Sequence, residues 1–541
     1  MNKRIKFIIL LSGISLMSFS CSSDFLETAS TSSVDQAQMF ETTSSAMMAV
    51  NGIHRLMYLP GSSAAQCGYG TFMLWMDMMG EDLVYTKGNA QWQSQAKWTL
   101  HRNTTSSHNK FLYKFFYSII SNANMILDNI DNANGLQEEK DYIKGQALTY
   151  RAFAHFSLVQ LWGERYYPGQ NNTQDGIVIK LDNSLEPLPR SSVEDVYTVI
   201  NDDLDNAIEL LEKVNIKRNS ITHINIHVAR AIKARVLLTQ GKWMEAAQMA
   251  QLVVENSGAS LQADTYAFKQ GRMCDATNKE WIWGKIGQPT LETGTLTNFF
   301  SFISNTNVSY NKNTPRAIYN LLYNRISSTD VRKQVWLPDA PLMDRKLIAY
   351  PPAGNIFKWM SQKYIVDYPD NTSSLYLGNV YTADLPYIRL PEMILIMAEG
   401  YARAGSDQLA AQALYRLAAV RDPQYMLSTN TGEALIDEIM FQRRIELWGE
   451  GFRFLDLKRL NMNLDRGPAP RPGYNQGGSA NGWKSGQNPK NLDPLASNYN
   501  MYDDQGLGEE NRFKAANSIE WQFVFPQSEI DYNPLCKQNP I

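Results

Sequence analysis

Residues 225–256, NIHVARAIKARVLLTQGKWMEAAQMAQLVVEN, decide the fold. A helix rich in small residues runs up to Gly241-Lys242-Trp243, which reads as a turn. A second helix follows, with Ala246, Ala247 and Ala250 on one side. Two antiparallel helices with small residues where they touch follow tetratricopeptide logic, here without the full repeat consensus. Working outward, residues 386–421, PYIRLPEMILIMAEGYARAGSDQLAAQALYRLAAVR, form a related pair. Helical periodicity over 108–130 and 137–163 predicts another, with Ala147, Tyr150, Ala154, Leu158 and Leu161 at helical spacing. Helix pairs of this kind stack. The predicted fold is all-α, a tetratricopeptide-like scaffold of helical pairs with long irregular loops and a few short strands.

The remaining chain fits around this scaffold. A helix is predicted from Val34 to about Leu59, and an irregular stretch from Pro60 to Ser107. Ser191-Ser192 ahead of Glu194 signals the start of a helix ending near Lys213. Asp202, Asp203 and Asp205 read as first-turn acids of a helix. NKEWIWGKIG (278–287) reads as a short strand with one of Trp281 and Trp283 buried. FFSFISNTNVSYNKN (299–313) reads as a loop, and Thr431–Met462 as strongly helical with a break at Gly451. Residues 463–512 are dominated by Gly, Pro, Asn and Asp and read as a surface excursion carrying Trp483. The organisation expected is 1–20 a lipoprotein signal peptide, 21–33 a lipidated tether, 34–256 an N-terminal helical region and 257–541 a C-terminal region packed with it as one globular unit.

The N-terminus sets the compartment. Lys3, Arg4 and Lys6 precede an apolar run from Phe7 to Met17. That run is shorter than the roughly 20 residues a membrane helix needs, so it reads as a secretory signal. Ser18-Phe19-Ser20 then lead to Cys21, which looks like the acylated cysteine of a bacterial lipobox. Two or more acyl chains hold a protein stably on a membrane. Loss of the signal removes Lys3, Arg4 and Lys6 from 51 basic residues, leaving 48 against 54 acidic ones, a net charge of −6. That balance argues against a nucleic-acid partner. Cys67, Cys274 and Cys536 are left, an odd set without a C-x-x-C, so neither a disulfide framework nor a zinc site is expected.

The chain lacks G-x-S-x-G, P-loop, Rossmann and H-E-x-x-H patterns, and no catalytic residue, cofactor or metal is expected. His223 and His227 are four apart, but Asn225 between them reads as a helix cap that keeps them off a common helical face. Aromatic residues make up 11% of the chain, and many lie among Asn, Gly and Ser. Sugar rings present flat C–H faces that pack on aromatic rings, and neighbouring Asn, Asp and Arg supply hydrogen bonds. Two stretches hold that mixture: 75–102, with Asp77, Asp82, Tyr85, Asn89, Trp92, Trp98 and Arg102, and 299–313, with Phe299, Asn305 and Tyr310. These ten residues are the candidate ligand contacts.

Five blocks carry a family resemblance: CSSDFLE (21–27), GQALTYRAFAHFSLVQLWG (145–163), YIRLPEMILIMAEGYARAG (387–405), FQRRIELWGEGFRFLDLKRL (441–460) and FPQSEIDYNPLCKQNP (525–540). In order, they resemble the SusD/RagB family of Bacteroidetes outer-membrane lipoproteins. Gly400 stands where that family usually has Ala, and Gln442 where it usually has Glu. Within 441–460, Arg444, Glu446, Glu450, Arg453, Asp456 and Arg459 recur mostly three or four apart, which favours an ion network fixing helix packing. Arg151, Arg389 and Glu399 get the same structural reading. The resemblance implies a non-enzymatic, surface-exposed receptor, lipid-anchored in the outer membrane through Cys21. It would capture oligosaccharides, or oligopeptides in some branches, and act as a hinged lid on a SusC-like TonB-dependent transporter. A surface glycosidase is the alternative from another class.

Overall fold

How closely two helices approach is set by the side chains between them, and the small residues of this chain fall where helices meet. The structure, a computed structural model, describes residues 36–63, 65–85, 92–262, 272–288, 298–305, 316–336, 359–364, 383–467 and 509–541. Its main helices are α1 (Thr43–Leu56), α2 (Tyr69–Met78), α3 (Ser107–Asn129), α4 (Gln137–Trp162), α5 (Val193–Lys213), α6 (Ile226–Thr239), α7 (Trp243–Asn256), α8 (Phe299–Ile303), α9 (Leu390–Arg403), α10 (Asp407–Arg421), α11 (Gly432–Glu446) and α12 (Arg453–Arg459). Among the described residues six short strands form three antiparallel pairs: β1 (Leu83–Tyr85) with β3 (Arg316–Ile318), β2 (Trp281–Lys285) with β4 (Leu385–Arg389), and β5 (Leu464–Asp465) with β6 (Phe513–Lys514). The fold is all-α and tetratricopeptide-like. Helices stack in the order α3, α4, α5, α6, α7, α9, α10, and α11 lies on α9.

The helix starts follow the sequence. Ser106, Ser192 and Asn225 are N-caps whose side chains accept the N–H of Asn109, Asp195 and Val228. Gly400, unusual at its position, has a packing reason. A Cβ there would lie 2.5 Å from the Trp243 carbonyl oxygen and 2.9 Å from the Ala247 Cβ. Hydrogen there lets α9 lie against the backbone of α7.

Five expectations are corrected, one of them the loop expected over 299–313, whose first five residues form α8. The helix predicted from Val34 to Leu59 is broken at Thr42, which caps α1 in a reciprocal box with Ser45. The stretch expected to be irregular from Pro60 to Ser107 contains α2, buried at all ten positions and therefore without the one-sided pattern that betrays a helix. Asp202, Asp203 and Asp205 are mid-helix: Asp203 pairs with Arg151 at 2.6 Å and Asp205 with Lys233 at 2.9 Å. Both Trp281 and Trp283 are buried, because β2 is covered on both faces.

The last segment is stitched to the first half of the chain. The Asn109 amide and the Trp162 indole both donate to the Val524 carbonyl, at 2.8 and 3.0 Å. The Phe523 N–H donates to Leu161 O and the Val524 N–H to His101 O, each at 2.9 Å.

Buried charge organises the other half. Glu446 lies between Arg332, Arg389 and Arg421 at 3.1–3.2 Å, and Arg389 and Arg421 also hold Glu280. Glu450 pairs with Arg389 and Lys363, and Asp330 with Arg332. Burial alone would raise the Glu446 carboxyl; Arg421, Arg389 and Arg332 overcome it and hold the group well below the usual carboxylate range. Gln442 accepts from Arg332 Nη2, so a neutral oxygen suffices where the family usually has Glu. Arg443–Asp456 and Arg459–Glu399 extend the buried pairing into α12 and α9.

Candidate functional site

The two stretches singled out for binding, 75–102 and 299–313, come together. The backbone of β1, running out of α2, pairs with β3, Leu83 opposite Ile318 and Tyr85 opposite Arg316. α8 packs on α2, and Gly70 makes room for it: a Cβ there would lie 2.9 Å from the Phe299 Cβ. A third strand-like segment, 359–361, adds to β3 through Ile318 N–H to Trp359 O at 3.1 Å and Ser361 N–H to Arg316 O at 2.9 Å.

The candidate residues whose side chains are described each have a definite place. Asn305 is buried and acts as a clamp. Its amide donates to Arg316 O at 2.7 Å and Ser361 O at 2.8 Å, and its Oδ1 accepts the Arg316 N–H at 2.7 Å. Phe299 is buried edge-on against Tyr364, with ring centroids 5.2 Å apart. Asp82 accepts a fork from Arg444 Nε at 2.9 and 3.1 Å. Trp98 packs on Trp521 at 4.7 Å and donates its indole N–H to Met79 O at 3.0 Å. Arg102 donates to Ile519 O at 3.1 Å, to Gln522 O at 2.6 Å and to Pro540 O, holding the C-terminal segment. In this arrangement Asp77, Asp82, Trp92, Trp98, Phe299 and Asn305 are all buried. Tyr85 is placed by its backbone in β1, while Asn89, Tyr310, Trp483 and Cys21 lie outside the described residues.

Trp92 stands apart. It stacks edge-on against Phe302 with centroids 5.5 Å apart, its φ is +73°, and its indole N–H has no acceptor among the described residues. Non-glycine residues rarely occupy that backbone region, and such strain clusters at ligand sites. Trp359, on the neighbouring segment, has φ +63°. No rule of residue type points to a left-handed tryptophan, so the sequence reading left Trp359 without a role.

Asp77 sits under the platform and accepts the Gly451 N–H at 2.8 Å. Burial pushes its carboxyl up to about 7 from 3.8, against the pull of the Gly451 and Arg453 N–H groups. Between those values the folded chain holds a proton that the unfolded chain has released, so stability falls as pH rises from about 4 through 7. Asp77→Asn is expected to remove this slope. Urea unfolding at pH 5 and pH 8 should show the variant gaining on the wild type by roughly 2 kcal/mol at the higher pH; parallel profiles would refute it.

Among the described residues no group of three His, Cys, Asp or Glu is placed to hold a metal ion. His223 bonds Asn51 at 3.1 Å through Nε2, while His227 starts α6. Cys67, Cys274 and Cys536 are free thiols. No helix among the described residues is long and apolar enough to cross a membrane.

Comparison with known proteins agrees with the resemblance. Residues 25–238 match a family described as SusD-like, starch-binding, associating with outer membrane, and residues 302–541 match the SusD family. SusD-like protein P2 of Formosa agariphila is 28% identical over 140 residues, 26% of this chain and 26% of that relative's own length. A SusD-like carbohydrate-binding protein from Bacteroides vulgatus superimposes with a TM-score of 0.70 at 23% identity, covering 92% of this chain and 98% of the other. Surface glycan-binding protein A from Bacteroides thetaiotaomicron, solved with laminarihexaose, gives 0.65 at 17% identity over 92% and 99%. A laminarin-binding SusD-like protein gives 0.65 at 18% identity over 93% and 100%. At these identities the structural likenesses establish the fold.

Proposed function

Because this chain belongs to the SusD/RagB family, we propose that it is a cell-surface glycan-binding lipoprotein. It captures oligosaccharides without cleaving them and acts as the lid of a SusC-like TonB-dependent outer-membrane transporter. Acylated Cys21 anchors it. The observation that carries the reading is the convergence of two aromatic and polar stretches on the β1–β3 platform, where Trp92 and Trp359 hold left-handed backbones. The solved relatives named for laminarin and laminarihexaose support a glycan ligand. Among the candidate contacts Trp92 is the primary one: its indole N–H is buried without a protein acceptor among the described residues, and a sugar hydroxyl that reaches it would supply one.

The test is a glycan array on the soluble chain beginning at Ser22, followed by calorimetry on the best ligand. Trp92→Ala is expected to weaken binding about tenfold, the scale of one lost aromatic platform. Unchanged affinity would remove Trp92 from the site, and no affinity for any glycan would sink the proposal. Sustained release of new reducing ends would instead favour the glycosidase.

A further inference from the structure

A cavity of about 50 Å³ lies where α4, α6, α9, α11 and α12 meet, lined by Tyr69, Phe153, Arg235, Arg443, Phe452 and Arg459 among others. That is room for one or two water-sized species. Two of its guanidinium groups are held by carboxylates. Arg235 grips Glu392 through Nε and Nη2, both at 2.6 Å. Arg459 grips Glu399 at 2.8 and 2.7 Å and reaches Asp456 at 2.9 Å. Arg443 is only 4% exposed and bonds Asp456 through Nε at 2.7 Å, but its Nη1 has no acceptor among the described residues. A buried donor left unmatched costs about 1–3 kcal/mol, more when charged.

The charge count points the same way. Around Glu446 four carboxylates, Glu280, Asp330, Glu446 and Glu450, meet four cations, Arg332, Lys363, Arg389 and Arg421. Glu81 and Asp82 meet Arg444 and Arg453, two against two. Beside the cavity, however, two carboxylates, Glu399 and Asp456, serve three guanidiniums, Arg403, Arg443 and Arg459. Arg403 reaches partly into solvent, with 18% of its side chain exposed, whereas Arg443 and Arg459 do not. Glu450 also borders the cavity, but Lys363 and Arg389 occupy both of its oxygens. Among the described residues the cluster counts one guanidinium more than carboxylates, with Arg403 at its solvent edge, and the unmatched buried donor belongs to Arg443.

We propose that this cavity is a small-anion site in which one halide-sized ion accepts the free Arg443 N–H and balances the local charge. The site is independent of glycan capture. Crystals of the soluble chain grown in bromide are expected to show an anomalous peak in the cavity beside Arg443. A map without the peak, or with a water that gives no anomalous signal, overturns the proposal. In solution, replacing potassium gluconate by potassium chloride at equal ionic strength is expected to raise Tm by about 2 °C. Arg443→Met should lose that response; a chloride effect that survives the substitution counts against the site. If the variant does not fold, the bromide map of the wild type decides alone.

Discussion

Glu446→Ala is expected to leave little or no cooperatively folded protein. Three arginines, Arg332, Arg389 and Arg421, direct N–H groups at this one carboxylate, and all four residues are buried. Replacing the carboxylate by a methyl group leaves three cations in a dry interior and opens a void. Removal of one partner from a buried pair costs about 3–5 kcal/mol, and this carboxylate serves three. Total domain stability is about 5–15 kcal/mol. Circular dichroism and urea titration should show an early or non-cooperative transition; unfolding within about 1 kcal/mol of wild type would refute the prediction. Acid should act on the same groups. Burial raises the Glu399 carboxyl, but Arg459 and Arg403 outweigh it and bring the group down to about 2 from 4.5. Its folded value is depressed, so its stabilisation is complete above about 4.5 and is lost as pH falls toward 2. Glu446, Glu450 and Asp456 are depressed too, and their loss adds in the same direction.

Gly451→Ala should be the next most damaging substitution. Gly451 has φ +87° in the turn between α11 and α12, and its N–H is the donor that Asp77 accepts. The left-handed backbone costs an alanine about 1–2 kcal/mol. A Cβ would also lie 2.7 Å from the Met73 Cα, a backbone atom of α2 that has nowhere to go. Overpacking of that kind adds about 1–3 kcal/mol, for a total near 3 kcal/mol. Gly258→Ala is the control. Its φ is +75° but nothing lies within 4 Å, so only the backbone term applies. Equal urea midpoint shifts for the two variants would show that the close approach of α2 to the turn is unimportant.

The helical pairs were legible because their faces differ. α6 and α7 alternate small and polar residues with a glycine turn, and α3, α5 and α6 announce their starts with Ser or Asn caps. α2 was not legible, because a helix buried on every side, YGTFMLWMDM, has no polar face to set its period. α8 was hidden for the same reason: FFSFI is buried throughout and only five residues long. The ion network was visible as spacing in 441–460. Its partners Glu280, Arg332 and Lys363 come from distant segments, and no local pattern marks them. For the candidate site, composition singled out two stretches whose described residues meet at the platform, but it does not tell how an indole N–H is used. Trp98 and Trp92 are both buried and both left-handed; Trp98 spends its N–H on Met79 O, while that of Trp92 has no acceptor among the described residues.

The stitching of residues 520–525 to His101, Asn109 and Trp162 spans separations of 360 positions and more. Contacts that distant form slowly, because the intervening chain must first be confined. A chain emerging from the ribosome therefore carries an open seam along α3 and α4 until its closing strap arrives. Until then the apolar surface that Phe523 and Phe525 cover stays open to water, and a half-made chain is most prone to stick to its neighbours in that interval.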